Sequence, residues 1–158
     1  MHRMTIVSLK SLIAVLLSLL LLCQIVVVPI VATEMAERLP PLAFLQWPGI
    51  IAAAIFVLCL QAALVCVWRL LSLVREGIIF NSRAFAYVDV ILGAIIVATV
   101  IVLTTLVVLT AVGAASPSIA LLSVLGAVIG AVLALLVVVL RSLLRQASQL
   151  ESDLAEVV

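Results

Sequence analysis

Apolar positions in this chain fall into four long runs, and the polar residues between them act as punctuation. A run of about 20 apolar residues, at ~1.5 Å of helix rise each, matches the ~30 Å hydrocarbon core of a bilayer. The first run extends from Ser11 to Ala32, with Lys10 before it and Glu34 after it. The second covers 47–70, opening at Trp47 and Pro48 and closing at Trp68 and Arg69. Trp at both ends of one span matches the preference of that side chain for the headgroup zone. No charged residue occurs from Val90 to Leu140, and GAASPS at 113–118 divides this stretch into spans 88–112 and 119–140. The last of these contains fifteen Leu, Ile or Val residues, each favouring insertion by roughly 0.3–0.6 kcal/mol at a helix centre. The pattern predicts an all-α integral membrane protein, a four-transmembrane-helix bundle in a single domain.

Beyond Leu140 the pattern changes. Leu143, Ala147, Leu150, Leu154 and Val157 follow the alternating four-and-three spacing of an apolar helix stripe. Leu140 extends the stripe back into the fourth span, so one helix is expected to run out of the bilayer into an amphipathic tail, 141–158. Arg141 and Arg145 would then snorkel to the lipid headgroups. Glu151, Asp153 and Glu156 make the far end acidic, a poor match for a negatively charged leaflet, so the tail is expected to pack on protein. The turn between spans two and three offers one surface. Gly77 suits a helix end and Ser82 a helix start, which exposes Ile78, Ile79 and Phe80 between them. The plainer reading is that the tail folds back over this turn, with its acids near Arg75 and Arg83. The sharper one is that the stripe docks a cytosolic partner, with Leu150, Leu154 and Val157 as contacts and Glu151, Asp153 and Glu156 steering it.

Charge orients the spans. Of the eight basic residues, Arg3, Lys10, Arg69, Arg75, Arg83, Arg141 and Arg145 fall on one side and Arg38 alone on the other. The positive-inside rule therefore places both termini in the cytoplasm, with the chain in the cell inner (plasma) membrane. The first run is too long for the core of a cleaved signal peptide, and no small-x-small site follows it at the right distance. A chain with 68% hydrophobic and 9% charged residues leaves no basic surface for direct nucleic-acid contact. Cys23, Cys59 and Cys66 all lie inside apolar runs and lack metal-ligand spacing, so they read as small hydrophobes.

Within the spans, Gly126 and Gly130 form a G-x-x-x-G pattern that admits a neighbouring helix closely, more often inside a bundle than between copies. Gln61, mid-span, is expected to hydrogen-bond another helix. Thr99, Thr104, Thr105 and Thr110 can bond back to their own helix carbonyls. Asp89, one turn into the third helix, suits the helix dipole and is the nearest approach to an ionisable group inside a span, the usual mark of an ion or proton path. His2 is the only histidine. No nucleophile elbow, zinc motif or phosphate loop occurs, so no enzymatic role and no cofactor are expected.

The four spans, the turn GIIFNSRAFAYVDVI and the ending LRSLLRQASQLESDLAEVV together resemble a family of small bacterial membrane proteins of unknown function. Its members are often encoded beside a small Cro/CI-type helix-turn-helix regulator, and the Val/Ala-rich spans are most similar to actinobacterial members. The resemblance implies no catalytic residues. It implies a cytosolic partner, a DNA-binding regulator held at or released from the membrane. The leading expectation is thus a non-catalytic regulatory or sensory partner of a cytosolic protein. A small transporter or export accessory, and a structural membrane protein, are the alternatives, and homo-oligomerisation is left open.

Overall fold

The computed structural model describes residues 2–75 and 82–157; side chains are described for 7–73 and 85–157. Helix α1 (His2–Leu22) passes through a π-helical turn (Cys23–Val27) directly into α2 (Val28–Arg38). A 3-10 segment (Pro40–Leu45) leads to α3 (Gln46–Arg75), followed by α4 (Ser82–Ala111) and α5 (Pro117–Glu156). Four stretches are long and apolar enough to cross a membrane: Val7–Arg38, Pro40–Leu73, Phe85–Ala111 and Pro117–Glu156. These point to a multi-pass membrane protein.

Local chemistry explains the breaks. Pro29 lacks an N–H and its ring crowds the carbonyl four residues back. The helix widens by one residue per turn just ahead of it, and the Val28 N–H reaches the Cys23 carbonyl five residues back. The α4–α5 turn is built on Gly113, the one glycine at positive φ among the described residues (72°). The Gly113 N–H bonds the Thr110 carbonyl at 3.1 Å and the Ala114 N–H bonds Leu109 at 2.9 Å, the paired pattern of a glycine-terminated helix. Ser116 then starts α5, its hydroxyl accepting from the Ile119 N–H at 3.3 Å, with Pro117 where a missing N–H costs nothing. The four threonines expected to bond back do so; Thr99, for one, donates to the Ile95 carbonyl at 2.8 Å.

The helices form a row, a correction to the expected bundle. Among the described residues, α1 and α2 pack on α3, α3 on α4 and α4 on α5; α5 packs on no other helix. The consequence is a large surface. Accessible area is 10986 Å², whereas a compact protein of 16.7 kDa would expose about 7,600 Å². Only Ile13 and Cys66 are buried among the described residues. Apolar side chains facing outward need no water-excluding core when lipid is the solvent, so hydropathy alone gives no reason for a row to close into a bundle.

The tail is not a separate element. Residues 141–156 are the last four turns of α5, a 40-residue helix that is apolar overall. Half-buried positions in α5 recur at Ala120, Ser123, Ala127, Gly130, Ala134, Val137, Leu144 and Ser148. This three-and-four spacing, with Arg141 in step, is a seam of mostly small residues laid against α4. The leucine stripe of the tail lies beside the seam. Leu150 and Leu154 are 64% and 69% exposed and Val157 is 85% exposed. Nothing described covers them, and the fold-back contact with Ile78, Ile79 and Phe80 falls outside the described residues.

Candidate functional site

The α4–α5 hairpin brings together residues far apart in sequence. Its turn is centred near Ala115, so positions whose numbers sum to about 230 lie side by side. Thr99 meets Gly130 and Val102 meets Gly126 in this register. Asp89 meets Arg141. Arg141 Nε lies 2.9 Å from Asp89 Oδ1, and Nη2 donates to Oδ2 at 2.9 Å. The two parallel bonds fix the guanidinium plane, and each side chain remains 46% exposed. Asp89 thus lies about two turns inside α4, with its carboxylate paired to Arg141.

Other boundary groups collect at the same end. Lys10 Nζ donates to Ser72 Oγ at 2.8 Å, tying α1 to α3. Trp68 and Arg69 close the apolar part of α3 just before that contact. Cations on α1, α3 and α5 therefore share one level at one end of the row. A cleft of about 650 Å³ opens there between Phe85 of α4 and the outer part of α5, lined by Val138, Arg141, Ser142, Arg145, Ser148 and Gln149. Beyond Ser148, the last half-buried position of α5, the helix continues for eight residues to Glu156, about 12 Å of further helix. This end carries Leu150 and Leu154 on one line, with Glu151, Asp153 and Glu156 all exposed around it. Val157 caps it.

Gly126 and Gly130 face α4, yet they are not equivalent. A methyl on Gly130 would strike the Thr99 hydroxyl, whereas one on Gly126 would find Val102 Cγ1 no nearer than 4.0 Å. Gln61 is half-buried and makes no hydrogen bond among the described residues, so the expected interhelical bond is absent there. Gln24 makes one instead. It lies in the π-helical turn and its Nε2 donates to the Ala54 carbonyl of α3 at 3.4 Å, leaving Oε1 buried without a partner. The sequence signal for this contact was the one polar amide in LLCQIVVVPI, five residues before Pro29. Two other clefts are mostly apolar. One of about 400 Å³ lies between α2 and α3, and one of about 610 Å³ spans α3, α4 and Ser123 of α5, with Thr104 and Thr105 as its other polar groups. Such walls suit acyl chains better than ions.

Residues 30–158 match the family model of DUF2975, a family of proteins of unknown function, and the chain belongs to that family. Comparison with curated proteins and with solved structures finds no match.

Proposed function

We propose that this member of DUF2975 is a non-catalytic regulatory or sensory partner that recruits a cytosolic protein to the plasma membrane. The observation that carries this reading is the end of α5, where a leucine line runs past Ser148 with nothing described covering it. Burying one such leucine is worth roughly 1.5–3 kcal/mol. A stripe this exposed in water, outside the reach of lipid, favours a covering partner.

Orientation supports the location. Lys10, Arg69, Arg141 and Arg145 gather at one end of the row, and the positive-inside rule assigns that end, with both chain termini, to the cytosol. Glu151, Asp153 and Glu156 surround the leucines, so the partner presents an apolar groove with a basic rim. A small helix-turn-helix regulator, whose nucleic-acid face is basic, fits that description, and bound here it would be withheld from DNA. The test is capture from native membranes in mild detergent, comparing the full chain with a Leu150→Ser, Leu154→Ser variant. The variant should remain in the membrane fraction and lose a basic cytosolic protein that the parent retains. Equal recovery by both would remove the stripe from the account.

A further inference from the structure

We propose that the cleft between Phe85 and the outer part of α5 binds a phosphate ester, that of an anionic phospholipid headgroup, with Arg145 as its principal cation and Arg141 positioned beside it by Asp89. The inference is independent of the proposed docking at Leu150 and Leu154.

The cleft differs in kind from the others in the molecule. It holds two guanidinium groups beside two hydroxyls and an amide, whereas no charged side chain lines the clefts between α2 and α3 or along α3 and α4. Residues 141, 145, 148 and 149 are neighbours one turn apart on a single helix face. Asp89 engages the Nε and Nη2 side of Arg141, so the second terminal nitrogen of that guanidinium is left to bond elsewhere. Arg145 has no acidic partner among the described residues. Among the described residues, Asp89 and Arg141 cancel and Arg145 adds one positive charge, a balance suited to a phosphodiester. The planar fork of Arg145, the remaining terminal nitrogen of Arg141 and the Ser142 and Ser148 hydroxyls supply the donors that phosphate oxygens accept.

Position identifies the source of the phosphate. The cleft begins at the level where Trp68 and Arg69 close the apolar part of α3 and where uncharged α5 gives way to Arg141. That is headgroup depth. Val138, about one turn to the membrane side of Arg141, is the apolar residue at the inner edge of the cleft, where the first carbons of an acyl chain would lie, and Phe85 stands near the level of Arg145. A volume of about 650 Å³ is within the usual range for a site holding one small ligand.

The experiment is native mass spectrometry of the full chain in mild detergent, titrated with phosphatidylglycerol and, separately, phosphatidylcholine. The parent should retain one phosphatidylglycerol in preference to phosphatidylcholine. Arg145→Gln should weaken that retention by about tenfold and Arg145→Lys by less, because the ammonium keeps the charge and loses the fork. Arg69→Gln removes the same charge at the same level outside the cleft and should change retention by no more than about twofold, since diffuse attraction is weak in a neutral micelle. Glycerol phosphate at millimolar concentration should not displace the lipid; displacement would assign the same phosphate site to a soluble ester. Equal losses for Arg69→Gln and Arg145→Gln, or no loss for Arg145→Gln, would overturn the proposal.

Discussion

Gly126 and Gly130 belong to one G-x-x-x-G pattern, and the structure separates them. A Cβ on Gly130 falls on the Thr99 hydroxyl, with Thr99 Cβ at 3.3 Å and Cγ2 at 3.5 Å. Thr99 cannot simply rotate away, because its hydroxyl donates to the Ile95 carbonyl at 2.8 Å and other groups on Cβ would take its place. Gly130→Ala must therefore push α5 off α4, an overpacking cost of about 1–3 kcal/mol. Both Gly→Ala changes also gain about 1 kcal/mol of helix propensity, and that gain cancels when the two variants are compared. Gly130→Ala should be less stable than Gly126→Ala by about 1–3 kcal/mol. At roughly 2–4 °C per kcal/mol for a chain of this size, the melting temperatures should differ by several degrees. Gly126→Ala should match or exceed the parent. Cys66, 6% exposed, supplies the assay: in a Cys23→Ser, Cys59→Ser background a thiol-reactive dye reports its exposure on heating in detergent. Thr99→Ala should restore part of the loss in Gly130→Ala. Equal melting temperatures for the two glycine variants, or a lower one for Gly126→Ala, would refute the α4–α5 packing and transfer this face to contact with a second copy.

Two further outcomes follow from the same hairpin. Ser116→Ala removes the cap on the first turn of α5 and should cost about 1 kcal/mol, read as a fall of roughly 2–4 °C in the same melt. The Asp89–Arg141 pair is half exposed, so a double-mutant cycle with Asp89→Asn and Arg141→Gln should return a coupling below about 1 kcal/mol, smaller still in 1 M salt.

Much of this architecture was legible because hydrocarbon imposes few choices. Spans of 20 or so apolar residues, Trp47 and Trp68 at the ends of one of them, and glycine and proline at the 113–118 turn each have a single physical meaning. The continuous last helix was also readable, from Leu140 joining the tail stripe to the span. The row was not. Lipid-facing and helix-facing leucines are chemically alike, so hydropathy carries no signal for which neighbour a span will choose. The Asp89–Arg141 pair was missed although the sequence contained it, since a turn centred near Ala115 sets position 89 against 141. Gln24 and Gln61 are both isolated amides in apolar runs, so composition does not tell which of them bonds across helices. The π-helical turn ahead of Pro29 distinguishes them, and its register is a backbone property with no residue pattern of its own.

The leucine line at the end of α5 is the centre of the account, and site-specific photocrosslinking in native membranes tests it most directly. A diazirine side chain at Leu150 would be compared with one at Leu121, 72% exposed on the apolar part of the same helix. The account predicts that position 150 yields one discrete adduct with a soluble protein, that position 121 yields lipid adducts only, and that Leu154→Ser abolishes the first. Adducts at position 150 confined to this chain itself, or to lipid, would contradict it.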